Sequence, residues 1–326
     1  MNILVTGGAG YIGSATAEAL LQAGHSVTVY DSLVTGHRAA VPAAATFVEA
    51  ALEQRAVLAR VLTRGGFDAV MHFAAFIEAG ESMKEPGRFY TNNLGNSLSL
   101  IETAALAGVQ KFVLSSTAAV YRSSDEPLTE EAPLGPTNVY GHTKLVVEQA
   151  LDWYRQIHGL RYAALRYFNA CGALPGRGEA HNPESHLIPR VLQVALEKVE
   201  AATIYGTDYP TPDGTCIRDY VHIADLVSAH LLALEALGTT EAMVYNLGNG
   251  RGFSVREVIE AARRITGHAI PVVEHPRRPG DPPRLVASSD KIRRDLGWKV
   301  KHSDLMDMVS SAWEWHRMHP KGYGPK

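Results

Sequence analysis

Tyr140 and Lys144 are the two side chains in this sequence whose types and spacing could carry out a proton transfer. They stand four positions apart in a stretch with helical periodicity, which places both on one helical face. A tyrosine phenol ordinarily titrates at about pH 10, and a nearby ammonium group is expected to lower that pKa. Tyr140 could then accept the proton of a hydroxyl group while a hydride leaves the carbon that bears this hydroxyl. Thr117, after a predicted strand, could hydrogen-bond the reacting oxygen. The alternative is an exposed aromatic–lysine pair without function.

A glycine-rich segment at the start of the sequence indicates what would accept the hydride. An apolar run at residues 3–5 is typical of a buried strand, and Gly7, Gly10 and Gly13 follow at a spacing of three. In dinucleotide-binding folds such glycines form a tight turn, let backbone approach a pyrophosphate and allow close packing of the next helix. A helix predicted over residues 14–23 would direct its positive N-terminus at the phosphates. An ordinary glycine-rich turn is the alternative.

Asp31 indicates which dinucleotide would bind. It ends a second predicted strand, residues 27–30. A carboxylate at this position accepts hydrogen bonds from the ribose hydroxyls and repels a 2′-phosphate. The sequence therefore predicts a site for NAD rather than NADP. The positive nicotinamide ring of bound NAD⁺ would further favour a Tyr140 phenolate.

Predicted strands and helices alternate through the first half of the chain. Further strands are expected at 46–48, 68–72, 111–116 and 162–166, and helices at 54–63, 92–107 and 140–156. This alternation predicts an α/β fold with a doubly wound parallel sheet of the Rossmann type.

The sequence changes character beyond Cys171. A long loop is expected at 172–189, a capping box at Ser254 and Glu257 opens a later helix, another loop is expected at 276–283, and the tail from Ser303 is predicted to be helical. We therefore expect an NAD-binding domain at 1–172 and a smaller C-terminal α+β domain for substrate at 173–326, with some segments returning to the first.

Composition restricts the class of protein. The 31 basic and 34 acidic residues give a formal net charge of −3, which indicates neither nucleic-acid nor anionic-membrane binding. The longest apolar runs have the length of strands, and the start lacks the pattern of a signal peptide, so we expect a cytoplasmic protein without a membrane span. Cys171 and Cys216 lack metal-ligand spacing, so buried free thiols and no metal site are expected.

Several motifs together carry a family resemblance that covers nearly the whole chain. They include the glycine segment ending at Gly13, His72-Phe-Ala-Ala75, Gly80-Glu-Ser82, Ser115-Ser-Thr-Ala-Ala-Val-Tyr121, Tyr140-Gly-His-Thr-Lys144, Leu165-Arg-Tyr-Phe-Asn169, Asp208-Tyr-Pro-Thr-Pro-Asp-Gly-Thr215, Ile217-Arg-Asp-Tyr220, Tyr245-Asn-Leu-Gly248 and Arg277-Arg-Pro-Gly-Asp281. The chain resembles the extended short-chain dehydrogenase/reductases and, more narrowly, the UDP-galactose (UDP-glucose) 4-epimerases. The run from Asp208 to Tyr220 is the part most specific to 4-epimerases.

The resemblance also distinguishes this chain from related dehydratases and decarboxylases. Those relatives carry an acidic residue directly after the equivalent of Thr117, whereas this chain has Ala118 and Ala119. Without a carboxyl group there, a 4-keto sugar has no route to elimination. The resemblance thus implies epimerisation at C4 of a UDP-sugar, by transient oxidation with bound NAD.

The resemblance implies a set of site residues. Tyr140, Lys144 and Thr117 would be catalytic. The cofactor would contact Gly7, Gly10, Tyr11, Ile12, Gly13, Asp31, Ser32, Leu52, Phe73, Ala74, Ala75, Asn92, Tyr140, Lys144 and Phe168. The substrate would contact Thr117, Tyr140, Asn169, His186, Leu187, Ile204, Tyr205, Arg218, Arg278, Asp281 and Leu285. Among these, Arg218 and Arg278 would hold the diphosphate and Asp281 the uridine ribose. The helices at 92–107 and 140–156 would pair across a homodimer.

Four positions depart from the family pattern. Ala51 replaces an Asp that meets the adenine amine, and Ile77 replaces a Lys near the cofactor ribose, which predicts weaker or more exchangeable NAD. His186 stands where Asn is usual. Leu285 is intermediate between the bulky and small residues that gate the sugar pocket, which predicts UDP-glucose and UDP-galactose as principal substrates with partial tolerance of UDP-GlcNAc and UDP-GalNAc.

Two alternatives stay open. One is a 4-epimerase for another nucleotide sugar, such as UDP-glucuronate or UDP-GlcNAc, although no extra cation for a sugar carboxylate is evident. The other is an NAD-sensing protein without catalysis, a class that typically lacks the tyrosine or lysine that this chain retains as Tyr140 and Lys144.

Overall fold

A computed structural model describes residues 1–124, 126–278 and 281–324. Within these ranges the strands are β1 (Asn2–Thr6), β2 (Ser26–Asp31), β3 (Thr46–Glu49), β4 (Ala69–His72), β5 (Lys111–Thr117), β6 (Arg161–Tyr167), β7 (Asn169–Cys171), β8 (Ala202–Tyr205), β9 (Ile217–Arg218), β10 (Tyr220–His222), β11 (Ala242–Leu247), β12 (Phe253–Ser254), β13 (Val272–His275) and β14 (Arg284–Leu285). The helices are α1 (Tyr11–Gln22), α2 (Arg55–Gly65), α3 (Ala79–Ser82), α4 (Pro86–Phe89), α5 (Asn96–Leu106), α6 (Val139–His158), α7 (Leu187–Ala195), α8 (Ile223–Ala236), α9 (Val255–Thr266), α10 (Asp290–Leu296) and α11 (Leu305–Met318). Pro279 and Gly280, in the loop predicted at 276–283, lie outside the described residues.

Seven of the described strands form one parallel sheet in the order β11-β6-β5-β4-β1-β2-β3. The apolar run in β1 is buried because helices cover both sheet faces, and Ile3, Leu4 and Val5 are 0% exposed. Strands β2 and β3 lie on one side of β1, and β4, β5 and β6 lie on the other, so the strand order reverses between β1 and β4. A ligand crevice lies beyond the carboxyl ends of the strands at such a switch point. The predicted doubly wound α/β fold is confirmed.

The second half of the chain contributes to this sheet. Strand β11 pairs in parallel with β6, from Ala242 opposite Tyr162 to Leu247 opposite Tyr167. Helix α8 packs against α1. The chain therefore crosses back to the main sheet after residue 173, and the domain division at 172 stays a prediction.

The remaining strands form small sheets around a second core. They pair as β7 with β10, β8 with β13, and β9 between β12 and β14. Buried side chains of α7, α9 and α11, including Leu192, Val258 and Met308, fill this core. The predicted capping box is present at the start of α9, where Ser254 and Glu257 each accept a backbone N–H of the other.

The helix predicted at 92–107 begins differently from the expectation. Its first turn is π-helical over Tyr90–Gly95, and the α-helical part starts at Asn96. The wider turn includes Asn92, which borders the crevice, and the buried Asn93. Turns with π-helical geometry are frequent at functional sites. No helix among the described residues is both long and apolar enough to cross a bilayer.

Candidate active site

A cavity of about 600 Å³ lies at the carboxyl edge of the parallel sheet and is named here the cofactor cavity. Fourteen of the residues predicted to contact NAD line it: Gly7, Gly10, Tyr11, Ile12, Gly13, Asp31, Ser32, Leu52, Phe73, Ala74, Ala75, Asn92, Tyr140 and Lys144. Phe168 does not line the cavity, because it is buried in an apolar cluster with Ala118 and Tyr121. Its predicted contact with the cofactor stays a prediction.

The glycine loop has the close backbone packing that a dinucleotide site needs. A Cβ atom on Gly13 would lie 2.2 Å from the Gly7 carbonyl oxygen, and one on Gly7 would lie 2.5 Å from the Ala74 nitrogen. Gly7 also has a φ of +73°, which favours glycine. Gly10 caps α1, so the helix N-terminus faces the cavity with its unpaired N–H groups. The loop therefore fits a dinucleotide pyrophosphate.

Asp31 lies beside this loop with its carboxylate held by backbone donors. The N–H of Ala9 donates to Oδ2 at 2.9 Å, and the N–H of Leu33 donates to Oδ1 at 2.8 Å. These bonds fix the carboxylate at the wall of the cofactor cavity. Its position fits the predicted contact with ribose hydroxyls.

The start of α6 brings the three predicted catalytic residues together. Asn138 caps the helix by accepting the N–H of Gly141 at 2.8 Å. A Cβ on Gly141 would lie 2.2 Å from the Ala119 carbonyl oxygen, so glycine permits the helix to approach the end of β5 closely. Tyr140 thereby comes within hydrogen-bonding reach of Thr117. Lys144, on the same helical face, donates from Nζ to the Ser115 carbonyl oxygen at 2.8 Å.

Burial dominates the electrostatics of Tyr140 and Lys144. Desolvation raises the pKa of Tyr140 to about 12, although hydrogen bonding with Thr117 lowers it. Desolvation also lowers the pKa of Lys144 to about 8, although the carboxylate of Glu148 raises it. Burial therefore outweighs any lowering of the tyrosine pKa by the lysine charge, and the lowering expected from Lys144 and from the positive nicotinamide ring stays a prediction.

A buried ionic network beneath Lys144 was not predicted from the sequence. Arg166 Nη2 lies 2.5 Å from Glu148 Oε2, and both side chains are 6% exposed. Ser116 donates its hydroxyl to the same carboxylate. Glu148 follows Lys144 by one helical turn, so the i, i+4 spacing was a signal that could have found it.

Asn93 is a second residue that no sequence motif indicated. Its Oδ1 accepts the N–H of Phe76 at 2.9 Å, and its Nδ2 donates to the Phe76 carbonyl oxygen at 2.8 Å. These two bonds hold the segment after β4, which forms one wall of the cofactor cavity.

A smaller cavity of about 210 Å³, named here the substrate cavity, adjoins the first. It is lined by the predicted substrate residues Asn169, His186, Leu187, Tyr205, Arg218, Arg278 and Asp281. Ala170 and His186 line both cavities, so the two meet there. Ile204 is buried in the core behind the wall, and Leu285 packs against the cluster that contains Phe168. Neither of these two predicted residues lines the cavity.

Two arginines of the substrate cavity, Arg218 and Arg278, interact with other residues of its wall. Arg218 and Asp281, predicted to bind different parts of the substrate, form an ion pair with each other. The Arg278 guanidinium carbon lies 3.9 Å from the centroid of the Tyr205 ring. A planar guanidinium in these surroundings suits the oxygens of a diphosphate.

His186 differs most from its predicted environment. Its Nδ1 lies 2.7 Å from Glu179 Oε1 and 3.1 Å from Glu184 Oε1. Although desolvation opposes the charged form, these two carboxylates raise the pKa of His186 well above its usual range. The imidazole therefore favours a positive charge between the two cavities.

Comparison with known proteins identifies the family. Residues 3–248 match the model of the NAD dependent epimerase/dehydratase family. The chain belongs to this family. Among curated members, a UDP-glucose 4-epimerase of Streptomyces lividans is 50% identical over 322 residues, which cover 98% of this chain and 97% of the relative. One from Lacticaseibacillus casei is 46% identical and matches over 100% of both chains.

Solved structures of the epimerase/dehydratase family agree with the fold. One UDP-glucose 4-epimerase is 49% identical, has a TM-score of 0.97 and is matched over 100% of both chains. Another, from Brucella ovis in complex with NAD, is 44% identical with a TM-score of 0.93, covering 96% of this chain and 97% of that one. The family and its NAD complexes confirm the predicted cofactor, and the relatives confirm the resemblance to UDP-glucose 4-epimerases.

Proposed function

We propose that this chain is a UDP-glucose 4-epimerase that interconverts UDP-galactose and UDP-glucose. The observation that carries the proposal is the position of Tyr140 and Lys144 on the wall of the cofactor cavity, with Thr117 next to Tyr140 and two alanines directly after Thr117. Bound NAD would supply a reversible hydride acceptor. Relatives with this name at 46–50% identity over nearly the full chain support the same activity.

The proposed roles follow from the geometry of the three residues. Tyr140 accepts the proton of the sugar 4-hydroxyl and later returns it. Thr117 hydrogen-bonds the same oxygen and orients it toward Tyr140. Lys144, tethered to Ser115, places a positive charge beside the phenolate at neutral pH, because its pKa of about 8 leaves most molecules protonated.

Ala118 and Ala119 limit the outcome to epimerisation. Elimination of water from a 4-keto sugar needs a general acid and base near C5 and C6, and neither methyl side chain can serve. The hydride can then only return to C4, and the proton to the oxygen on that carbon. Return on the opposite face inverts that carbon with no net redox change.

The substrate cavity would hold the UDP part of the molecule. Arg218 and Arg278 would bind the diphosphate and Asp281 the ribose. Tyr205 would line the uracil pocket, with Ile204 buried in the core behind it. A UDP-glucose 4-epimerase of Bifidobacterium longum, 36% identical, was solved in complex with NAD⁺ and UDP, which supports a site for UDP in this chain.

Incubating the purified protein with UDP-galactose tests the proposal. We expect UDP-glucose to accumulate to equilibrium without added cofactor, or after NAD is restored. Parallel incubations with UDP-GlcNAc and UDP-glucuronate, followed by separation of the products, test the alternative substrates. No conversion of UDP-galactose in the presence of added NAD would contradict the proposal.

We also propose a homodimer formed through α5 and α6. Leu106 on α5 is 78% exposed, and Trp153 and Ile157 on α6 are 62% and 69% exposed, so the two helices present apolar side chains on their outer faces. Light scattering after gel filtration should give twice the chain mass, and Trp153→Glu should yield monomers. Wild-type protein that elutes as a monomer at high concentration would contradict this proposal.

The proposed division is a cofactor domain at 1–172 and a substrate domain at 173–326, with β11 and α8 returning to the first. A cytoplasmic location is proposed because Cys171 and Cys216 are both free, buried thiols.

A further inference from the structure

Four side chains outside the proposed reaction centre converge where the two cavities meet. They are Glu179, His181, Glu184 and His186, which we name the His–Glu cluster. One ligand atom from each residue lies within 4.8 Å of all the others. The cluster lies in the loop before α7 and uses no cysteine, which is why cysteine spacing did not indicate it.

The four side chains point their ligand atoms inward. Glu179 Oε1 lies 2.7 Å from His186 Nδ1 and 3.0 Å from His181 Nδ1. Glu184 Oε1 lies 3.1 Å from His186 Nδ1, and its Oε2 lies 3.9 Å from His181 Nδ1. Tetrahedral zinc with nitrogen and oxygen ligands at about 2.0–2.2 Å separates those ligands by about 3.3–3.6 Å. Three of the four observed distances are shorter than this range, and the distance from Glu184 Oε2 to His181 Nδ1 is longer.

The carboxylates of the cluster are buried and held in place. The side chains of Glu179 and Glu184 are 5% and 4% exposed. Glu184 Oε1 accepts the N–H groups of Ser185 and His186 at 2.8 Å each. Trp315 Nε1 donates to the Glu179 carbonyl oxygen at 3.2 Å. Such outer contacts orient metal ligands in proteins.

Two buried carboxylates at one point need compensating positive charge. We propose that the His–Glu cluster binds one divalent transition-metal ion of the zinc class through Nδ1 of both histidines and an oxygen of each glutamate. A doubly charged ion balances the two carboxylates, and paired imidazoles favour zinc over magnesium or calcium. Protonation of the two imidazoles is the competing way to supply the charge.

The position of the cluster suggests a structural role for the ion. The His181 ring lies with its centroid 6.4 Å from that of Tyr11, which lines the cofactor cavity. His186 precedes α7 and lines both cavities. An ion at the cluster would thus tie residues 179–186 into the wall shared by the cofactor and the substrate. His186 would ligate through Nδ1 and keep Nε2 for the substrate cavity.

Zinc content of the untagged holoenzyme tests this proposal. The protein is treated with a chelator, loaded with a small excess of zinc chloride, desalted and analysed by elemental mass spectrometry. We expect about one zinc ion per chain, with X-ray absorption showing a nitrogen and oxygen shell at about 2.0 Å, imidazole scattering and no sulfur. Zinc in excess should also raise the Tm by about 4 °C or more.

Variants separate this site from incidental zinc binding. His181→Ala and Glu184→Gln should lose zinc during desalting. His302→Ala is the matched control, because it removes a half-buried histidine whose Nδ1 lies 2.5 Å from the single carboxylate of Asp307, and it should retain the ion. Wild-type protein without zinc after desalting, variants that retain it, or sulfur ligands would overturn the proposal. If the variants fail to fold, the wild-type zinc content and absorption spectrum decide it.

Discussion

Lys144 Nζ donates a hydrogen bond to the carbonyl oxygen of Ser115 at 2.8 Å, which joins α6 to the end of β5. This bond holds a nearly buried ammonium, 3% exposed, on the helical face that also carries Tyr140. The lysine therefore has little freedom to reorient, and its charge is maintained against a substantial desolvation cost.

Replacing Tyr140 with phenylalanine should reduce the rate of epimerisation without unfolding the protein. Loss of a positioned acid–base group ordinarily costs about 10²- to 10⁴-fold in kcat. The reaction is followed by conversion of UDP-galactose, with circular dichroism to verify the fold. Tyr154→Phe, on the same helix, is the control and should retain wild-type activity. Unchanged turnover in Tyr140→Phe would remove this residue from the mechanism.

Raising the pH should stabilise the NAD-free protein through Lys144. Its pKa falls from 10.5 to about 8 on folding, so in this window the unfolded chain binds a proton that the folded chain lacks. The free energy of unfolding should therefore rise with pH between these values, by about 3 kcal/mol in total for this group.

Urea unfolding at several pH values between 8 and 10.5 measures this effect. Lys144→Met should lack this pH dependence. Its free energy of unfolding should therefore rise relative to that of the wild type as the pH falls from 10.5 to 8. Lys84→Met, which removes a lysine that is 74% exposed, should follow the wild-type curve. Parallel curves for Lys144→Met and wild type would show that the buried lysine keeps an ordinary pKa.

Ala51→Asp should tighten NAD binding. Ala51 lines the cofactor cavity at the position where the family resemblance implies a carboxylate, so the variant should add a hydrogen bond to the adenine amine. One such bond is worth about tenfold in Kd. Calorimetry of NAD with the stripped protein measures it, and Ala44→Asp, at an exposed position, controls for the added charge.

Wild-type protein offers a companion test of NAD retention. Exhaustive gel filtration should remove part of the NAD and the activity, and added NAD should restore both. Full activity with no NAD loss after such washing would contradict the expectation of weak binding.

Leu285 should influence the preference for N-acetylated sugars. It pairs with Arg218 between β14 and β9, next to the substrate cavity although not on its wall. We expect kcat/KM for UDP-galactose to exceed that for UDP-GalNAc, with Leu285→Ala narrowing the ratio and Leu285→Tyr widening it. Equal values for the two substrates in the wild type would refute the stated preference.

Local spacing in the sequence was enough to predict several residues that line the cofactor cavity. The glycine loop, Asp31 and the Tyr140–Lys144 pair each depend on the geometry of one turn or one helix, which neighbouring residues determine. The alternation of strands and helices likewise predicted the doubly wound sheet. These features do not require knowledge of what packs against them.

Tertiary packing determined the burial of the site residues and the contacts between segments that are distant in the sequence. Desolvation, which sets the high pKa of Tyr140, depends on the whole surrounding wall. The ion pair of Arg218 with Asp281 and the addition of β11 at the sheet edge beside β6 join residues far apart in the chain. The His–Glu cluster was missed for a related reason, because the loop conformation turns four polar side chains toward one point. No periodicity in the sequence reports such a convergence.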